Sequence, residues 1–122
     1  MDLGIKGRSA IVCASSKGLG RACATALAEA GCTVVMNGRN AETLEKAAAE
    51  VRAATGADII AVAADVSTRE GQDKLLAACP SPDILVNNNA GPPLKPFRQV
   101  DRAAIIDGVV QNMVTPLELI VR

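Results

Sequence analysis

The apolar residues of the chain fall into four short runs, and longer amphipathic stretches separate them. Compact apolar runs are typical of strands buried on both faces, whereas apolar residues repeated every three or four positions are typical of helices. The strand-like runs are residues 9–14, 32–36, 59–63 and 84–87. Because predicted strands alternate with predicted helices, we expect an α/β fold with a parallel sheet and right-handed crossovers.

The first predicted helix begins at Gly18 and ends at Gly31, since glycine commonly terminates a helix. Its predicted apolar face consists of Leu19, Ala22, Cys23, Ala26, Leu27 and Ala30. The second helix is predicted to be capped by Asn40, and Glu42 and Lys46 have the spacing of an ion pair on its surface.

A third, short helix is predicted from Ser67 and Glu70, which have the spacing of a capping box, to the helix-breaking Pro80. An irregular loop covers residues 91–100, and a last helix follows from Asp101. Its apolar stripe consists of Ile106, Val109, Val110, Met113, Leu117 and Ile120. The sequence leaves open whether this stripe belongs to the core or to an oligomer interface.

The composition narrows the class of protein. A chain of 122 residues with 49% hydrophobic residues is long and apolar enough for one folded domain. Thirteen basic and thirteen acidic side chains cancel, which argues against nucleic acid or an anionic membrane surface as a partner. We see no signal peptide and no apolar stretch long enough to span a bilayer, so we expect a cytoplasmic protein.

The four cysteines are Cys13, Cys23, Cys32 and Cys79. None forms a Cys-x-x-Cys pair and the chain has no histidine, so we expect no metal site. Three of the four lie within apolar patterns, where free cysteine behaves as a small hydrophobic residue. Buried, reduced thiols are therefore the expectation.

Candidate chemistry begins in the turn between the first strand and the first helix. A tight glycine-containing turn exposes backbone N–H groups at the N-terminus of a helix, an arrangement that favours a pyrophosphate. The candidate cofactor-binding residues there are Ala14, Ser16, Lys17, Gly18, Leu19 and Gly20. A plain strand-to-helix turn would contain a similar Gly-x-Gly, so this motif alone is weak evidence; its place after the first strand strengthens it.

The turn resembles the Thr-Gly-x-x-x-Gly-x-Gly segment of the short-chain dehydrogenase/reductase family. Gly18 and Gly20 match its last two glycines, whereas Cys13 and Ala14 replace the leading Thr and Gly. The substitution at Ala14 adds a methyl group where the turn is tightest.

Three further segments carry the same resemblance at the family's spacing. Residues 65–66 read Asp-Val after the third strand, residues 88–91 read Asn-Asn-Ala-Gly after the fourth, and Asn112 lies on the last helix. Asn87 adds an extra asparagine, which leaves the register of the second motif open by one residue. The resemblance implies a Rossmann-like, doubly wound sheet of strand order 3-2-1-4. The cofactor-binding residues it implies are Asp65, Val66, Asn89, Ala90 and Gly91.

The residues after the second strand indicate which nicotinamide cofactor is used. Sites that select NAD place Asp or Glu there, to bond the ribose 2′-hydroxyl, whereas this chain has Asn37, Gly38 and Arg39. A guanidinium can hold a 2′-phosphate with two hydrogen bonds, and Lys17 can add a second positive charge. Either cation alone could equally be a solvated surface charge. Together they favour NADP(H).

Asn112 has two interpretations: a surface polar residue, or the active-site asparagine that the resemblance implies. Pro116 supports the second, because it has no N–H to donate to the carbonyl of Asn112 four residues earlier. We therefore expect a freed carbonyl at Asn112 and a bend in the last helix.

The resemblance implies an NADP(H)-dependent oxidoreductase that transfers hydride between the nicotinamide and a small carbonyl or alcohol substrate, similar to the 3-oxoacyl-(acyl carrier protein) reductases. Family members use a Ser and a Tyr-x-x-x-Lys, and the chain has no Tyr and no Ser or Lys after Asn112. We therefore expect residues 1–122 to be a cofactor-binding domain that is incomplete at its C-terminal side and inactive alone. We also expect a homo-oligomer. The alternative is a non-catalytic dinucleotide-binding or interaction module.

Overall fold

The computed structural model describes all 122 residues, Met1–Arg122, and forms one parallel sheet of four strands in the order β3-β2-β1-β4. This is the strand order that the family resemblance implied. The strands are β1 (Ser9–Val12), β2 (Thr33–Gly38), β3 (Ile59–Ala63) and β4 (Ile84–Val86). Ile11 of β1 is in register with Val35 of β2 and Leu85 of β4.

Helices connect the strands and cover both faces of the sheet. They are α1 (Gly18–Glu29), α2 (Ala41–Thr55), α3 (Arg69–Ala78), α4 (Arg102–Val109) and α5 (Thr115–Val121). A five-residue π-helical turn, Val110–Val114, joins α4 to α5, so that the three segments make one continuous helix. A short 3-10 turn, Phe97–Gln99, lies in the loop before it.

The pleat of β1 and β2 divides the core into two layers. Val12, Val34 and Met36 face one way and pack with residues of α1 and α2. Ile11 and Val35 face the other way and pack with residues of α3 and α5. Because successive side chains of a strand point to opposite faces, a strand covered on both sides must be apolar throughout, as these two runs are.

Four strand ends, in three of the strands, differ from the prediction. β1 ends at Val12, two residues early, because Ala14 has φ +46° and leaves the extended conformation. β2 begins one residue late, at Thr33, and continues two residues further, through Gly38, which pairs with Ala63 of β3. β4 ends at Val86 rather than at residue 87.

The predicted apolar face of α1 is wrong. The buried residues are Gly20, Ala24 and Ala28, whereas Leu19 and Cys23 are exposed. Small residues face the sheet because the helix approaches it closely, so apolarity alone does not identify the buried side. Cys23 is therefore the exception among four free cysteines of which the other three are buried. Burial raises the pKa of the Cys13 thiol to about 11, partly offset by a hydrogen bond from Asn88, so this thiol stays protonated.

Two of the three predicted helix-surface features need correction. Asn40 caps α2 as predicted, its side chain accepting the Thr43 N–H at 2.9 Å. The Ser67–Glu70 capping box is absent, because the Ser67 hydroxyl donates to Asp65 instead, and Thr68 is the residue that caps α3. Glu42 and Lys46 do not form the ion pair that their spacing suggested; the five ion pairs of the chain involve other residues.

The predicted apolar stripe of the last helix faces solvent in this chain rather than the core. Met113, for example, is 60% exposed, whereas the buried residues of α5 are Thr115 and Leu119. The segment Arg102–Val121 also meets the length and composition of a membrane-spanning helix, contrary to the sequence expectation. Since it carries Asp107 and Glu118, which are costly in hydrocarbon, we interpret its apolar residues as a packing surface.

Candidate functional site

A groove of about 370 Å³ opens at the carboxyl ends of the four strands. β1 lies between β2 and β4, so the chain crosses over on opposite sides of it, and ligands of α/β sheets bind at such switch points. The groove is lined by Ala14, Ser16, Lys17, Gly18, Leu19, Asn37, Gly38, Arg39, Ala64, Asp65, Val66, Asn88, Asn89, Ala90 and Gln111.

Most of the candidate residues from the sequence are therefore brought to one place. Three are not, since Gly20, Gly91 and Asn112 do not line the groove. Three lining residues were missed, namely Ala64, Asn88 and Gln111. Asn88 stood within the matched Asn-Asn-Ala-Gly motif, so a signal for it existed; nothing in the sequence marked Ala64 or Gln111.

The turn after β1 leaves the N-terminus of α1 open to a ligand. Lys17 is the N-cap residue, with extended backbone and no side-chain hydrogen bond to the first helical turn. Gly18 follows with φ +60°, a conformation that glycine adopts without strain. The backbone N–H groups of the first turn of α1 thus have no side-chain acceptor, which is the condition under which a helix N-terminus binds an anion.

Gly20 allows α1 to pack closely against this turn. A Cβ atom at this position would lie 2.2 Å from the carbonyl oxygen of Ala14 and 2.8 Å from Nδ2 of Asn88. The helix can approach the turn this closely only because residue 20 has no side chain. Gly20 is therefore a packing residue of the site rather than part of its surface.

Ala14 is the one residue other than glycine with a left-handed backbone, at φ +46°. This conformation costs an L-residue about 1–2 kcal/mol, whereas glycine adopts it freely but loses more entropy on folding, about 0.5–1 kcal/mol. We expect Ala14→Gly to raise the free energy of unfolding by about 0.5–1 kcal/mol in urea denaturation.

The matched control is Ala22→Gly, an exposed position inside α1. There the same change removes a methyl group from regular helix, and we expect it to lower the free energy of unfolding by about 1 kcal/mol. Equal destabilisation by the two substitutions would show that Ala14 is not strained.

Asn37 is 2% exposed, and its side chain ties the ends of three strands together. Its Oδ1 accepts the N–H of Ala14 at 3.2 Å, and its Nδ2 donates to the carbonyls of Val62 at 3.1 Å and Ala64 at 3.0 Å. Its backbone N–H donates to the Ser15 hydroxyl at 3.0 Å. Asn37 was predicted to bind cofactor; it lines the groove, and the polar atoms of its side chain have partners within the protein.

The charged side chains at the groove differ in whether another side chain of the protein binds them. Lys17 and Arg39 are exposed and form no ion pair with any residue of the chain. Asp65 is held by Ser67, whose hydroxyl and N–H both donate to its Oδ1, at 2.6 and 2.9 Å. The hydroxyl bond lowers the pKa of Asp65 most, burial opposes it, and the Ser67 N–H and the Arg39 charge lower it further, so the carboxylate is ionised.

The three asparagines after β4 have different environments. Asn87 is exposed. Asn88 turns towards β1, its Nδ2 donating to the carbonyls of Ala14 at 3.2 Å and Cys13 at 3.4 Å. Asn89 turns towards the last helix, its Nδ2 donating to the carbonyl of Gln111 at 3.3 Å. Asn88 therefore braces the glycine turn, and Asn89 faces the helix.

Asn112 lies beside a second groove of about 530 Å³, which the loop at residues 92–95 forms with α4. Its side-chain Nδ2 donates to the Gly108 carbonyl one turn earlier, at 3.0 Å. The helix does depart from α geometry here, as Pro116 predicted, but as a π-helical turn: the N–H of Thr115 bonds the carbonyl of Val110, five residues back. Such turns occur often at functional sites.

Known proteins resemble the chain along almost its whole length. The sequence profile of the short chain dehydrogenase family matches residues 8–122. L-xylulose reductase of Cavia porcellus is 35% identical over 113 residues, which are 93% of this chain and 44% of that protein. An uncharacterized oxidoreductase of Bacillus subtilis (strain 168) is 39% identical over 89 residues, 72% of this chain and 34% of that protein.

Solved structures agree with the sequence matches. L-sorbose reductase from Gluconobacter frateurii, in complex with NADPH and L-sorbose, has a TM-score of 0.89 and 28% identity, covering 98% of this chain and 47% of that one. YwfH, an NADPH-dependent reductase involved in bacilysin biosynthesis, has a TM-score of 0.83 and 27% identity, covering 94% of this chain and 51% of that one. The chain spans about half the length of these structures, and less than half of the curated relatives.

Proposed function

Because the chain belongs to the short-chain dehydrogenase family, we propose that the groove at the carboxyl ends of its strands binds NADP(H). As part of an oxidoreductase, it would serve hydride transfer between the nicotinamide and a small carbonyl or alcohol substrate. L-sorbose reductase with bound NADPH and the NADPH-dependent YwfH, both similar in fold, support the phosphorylated cofactor.

One observation carries the choice of cofactor: Lys17 and Arg39 line the same groove and neither has a carboxylate partner. Two unpaired cations at the end of β2 and the start of α1 suit a phosphate on the ribose 2′-oxygen, which Arg39 can hold with two hydrogen bonds. The nearby carboxylate of Asp65 is held by Ser67 and forms no ion pair with Arg39, although the Arg39 charge helps to lower the pKa of that carboxyl.

The other lining residues suit the remainder of a dinucleotide. The open N-terminus of α1 would hold the pyrophosphate, and Asp65 and Val66 would flank the adenine. Leu19 is 82% exposed, an unfavourable state for an apolar side chain that a bound nicotinamide ribose would relieve. When bound, NADPH supplies the hydride, while the protein orients it and excludes water.

Asn112 is the residue of the chain that we propose to support proton transfer, from the second groove beside the cofactor site. The acid that protonates an alkoxide in this family is a tyrosine, and residues 1–122 contain none. We therefore propose that these residues bind cofactor without turning it over. The exposed stripe of the last helix is where we would expect a homo-oligomer to form.

The experiment that tests the cofactor assignment is Arg39→Asp. Loss of charge-assisted hydrogen bonds to the 2′-phosphate, together with repulsion from the new carboxylate, should weaken NADPH binding by about 2–3 kcal/mol, or about 30- to 150-fold. NADH binding should stay the same or improve, since a carboxylate there can bond the 2′-hydroxyl. Both dissociation constants are measured by fluorescence titration.

Lys46→Asp is the matched control, because it makes the same charge change on an exposed residue of α2 that does not line the groove. We expect it to change NADPH binding less than about threefold, through long-range electrostatics alone. An Arg39→Asp chain that binds NADPH like the Lys46→Asp chain, with no gain for NADH, would show that Arg39 does not hold the phosphate.

A further inference from the structure

The π-helical turn and Pro116 together leave the backbone carbonyl of Gln111 without a donor within the last helix. In a regular helix the carbonyl of Gln111 would accept from the N–H of Thr115, but that N–H bonds the carbonyl of Val110 instead. The next residue that could serve it in π geometry is Pro116, which has no N–H. Gln111 has thus lost both donors. Pro116 also removes the α-helical donor of the Asn112 carbonyl, the position predicted from sequence.

The side chain of Asn89 donates a hydrogen bond to the freed carbonyl of Gln111. Its Nδ2 donates to the carbonyl of Gln111 at 3.3 Å, and its Oδ1 accepts the N–H of Ala90 at 2.9 Å, which fixes the direction of the amide. Asn89 is half-buried, and Asn89, Ala90 and Gln111 all line the cofactor groove. One side-chain hydrogen bond therefore joins the loop after β4 to the π-helical turn, and residues of both segments line the cofactor groove.

We propose that Asn89 is a positioning residue: its amide holds the loop after β4 and the π-helical turn together as one wall of the cofactor groove. This role differs from direct contact with cofactor. It requires Pro116, because an N–H at position 116 would offer the helix an internal donor and make the bond from Asn89 dispensable. The expected effect on NADPH binding rests on the proposed function, whereas the hydrogen bond between Asn89 and the Gln111 carbonyl does not.

A double-mutant cycle between Asn89 and Pro116 tests this link, since each residue acts through the same carbonyl. With Pro116 in place, Asn89→Ala should lower the equilibrium constant of folding, from urea denaturation, about tenfold, the value of one hydrogen bond. In the Pro116→Ala chain the same change should cost less than about threefold. Asn87→Ala, which truncates the exposed neighbouring asparagine, is the control and should change neither background.

The second measurement is NADPH affinity in the same chains. Asn89→Ala should raise the dissociation constant about tenfold with Pro116 and less than about threefold with Pro116→Ala. If Asn89→Ala does not fold, Asn89→Leu replaces it, because leucine is similar in size, removes the N–H donor and adds no charge beside the Gln111 carbonyl.

The outcomes separate the inference from the proposed function. Equal effects of the Asn89 substitution in the two backgrounds would overturn the link, whether or not NADPH binds. Coupling in urea denaturation without a matching change in NADPH affinity would overturn the positioning role. A chain that shows the coupling but binds no NADPH in any form would contradict the proposed cofactor site and, with it, the role of Asn89 there.

Discussion

Asn37→Asp should lower the free energy of unfolding by about 3–5 kcal/mol, the cost of an uncompensated buried charge. Nδ2 of Asn37 donates to the carbonyls of Val62 and Ala64 at 3.1 and 3.0 Å, and a carboxylate oxygen in its place would face both carbonyls without a proton. The residue is 2% exposed, so water cannot relieve the repulsion. Urea denaturation measures the loss.

The control for this substitution is Asn40→Asp, three residues further on. Asn40 caps α2 through Oδ1, and aspartate caps as well as asparagine at a helix N-terminus. We expect this change to be neutral within about 0.5 kcal/mol. Burial would raise the pKa of the new carboxyl at position 37, so its destabilising effect should diminish as the pH falls. Similar losses from the two substitutions would show that Asn37 is not the link between the strand ends.

Gly20→Ala should have the second largest effect, a loss of about 2–4 kcal/mol from overpacking. The new methyl would lie 2.2 Å from the carbonyl oxygen of Ala14, which is backbone and can move only with the turn itself. It would also displace Nδ2 of Asn88, which braces the same turn. Because this turn would hold the pyrophosphate, we expect NADPH affinity to fall together with stability.

Gly91→Ala provides the comparison. Gly91 belongs to the motif matched after β4, yet a Cβ atom there has no neighbour within 4 Å and its φ is not in the left-handed region. We expect a change in stability within about 0.5 kcal/mol. A Gly20→Ala chain as stable as the Gly91→Ala chain would mean that α1 does not approach the turn as closely as the structure indicates.

The alternation of apolar runs was sufficient to predict a parallel sheet and most of its elements, because burial on both faces of such a sheet leaves a strong signal. The strand order came from the family resemblance and not from this pattern. The same signal gave a wrong prediction for the buried side of α1. Its buried side is formed by Gly20, Ala24 and Ala28, whereas the larger Leu19 faces the groove. Close backbone approach favours small residues, and periodicity of apolar character does not distinguish the two sides.

Residues that act over long sequence distances were the hardest to predict. The bonds from Asn37 to residues 62 and 64 cannot be read from a strand and the residues that follow it. Gly71 is a further case: a Cβ atom there would lie 1.8 Å from the carbonyl of Asp65, the same kind of contact that Gly20 makes in α1. No sequence motif marked it, although both glycines are the third residue of their helix.

At the last helix, the sequence identified the effect of Pro116 on Asn112 but not its effect on Gln111. Counting four residues back from Pro116 assumes regular α geometry and identifies the carbonyl of Asn112. The π-helical turn shifts the hydrogen-bond register by one, so that Gln111 loses both donors and Asn89 supplies a replacement. The proline indicated where the helix departs from regularity, but the loss of both donors at Gln111 depends on the π-helical register, which the sequence did not reveal.

The central claim is that this groove recognises a 2′-phosphate, and the most direct test uses only the adenosine half of the cofactor. Calorimetric titration compares adenosine 2′,5′-bisphosphate with adenosine 5′-monophosphate, which lacks the 2′-phosphate. We expect the bisphosphate to bind at least about tenfold more tightly, with a difference that shrinks as salt screens Lys17 and Arg39. Equal affinities, or no binding of either nucleotide, would contradict the assignment of this groove to NADP(H).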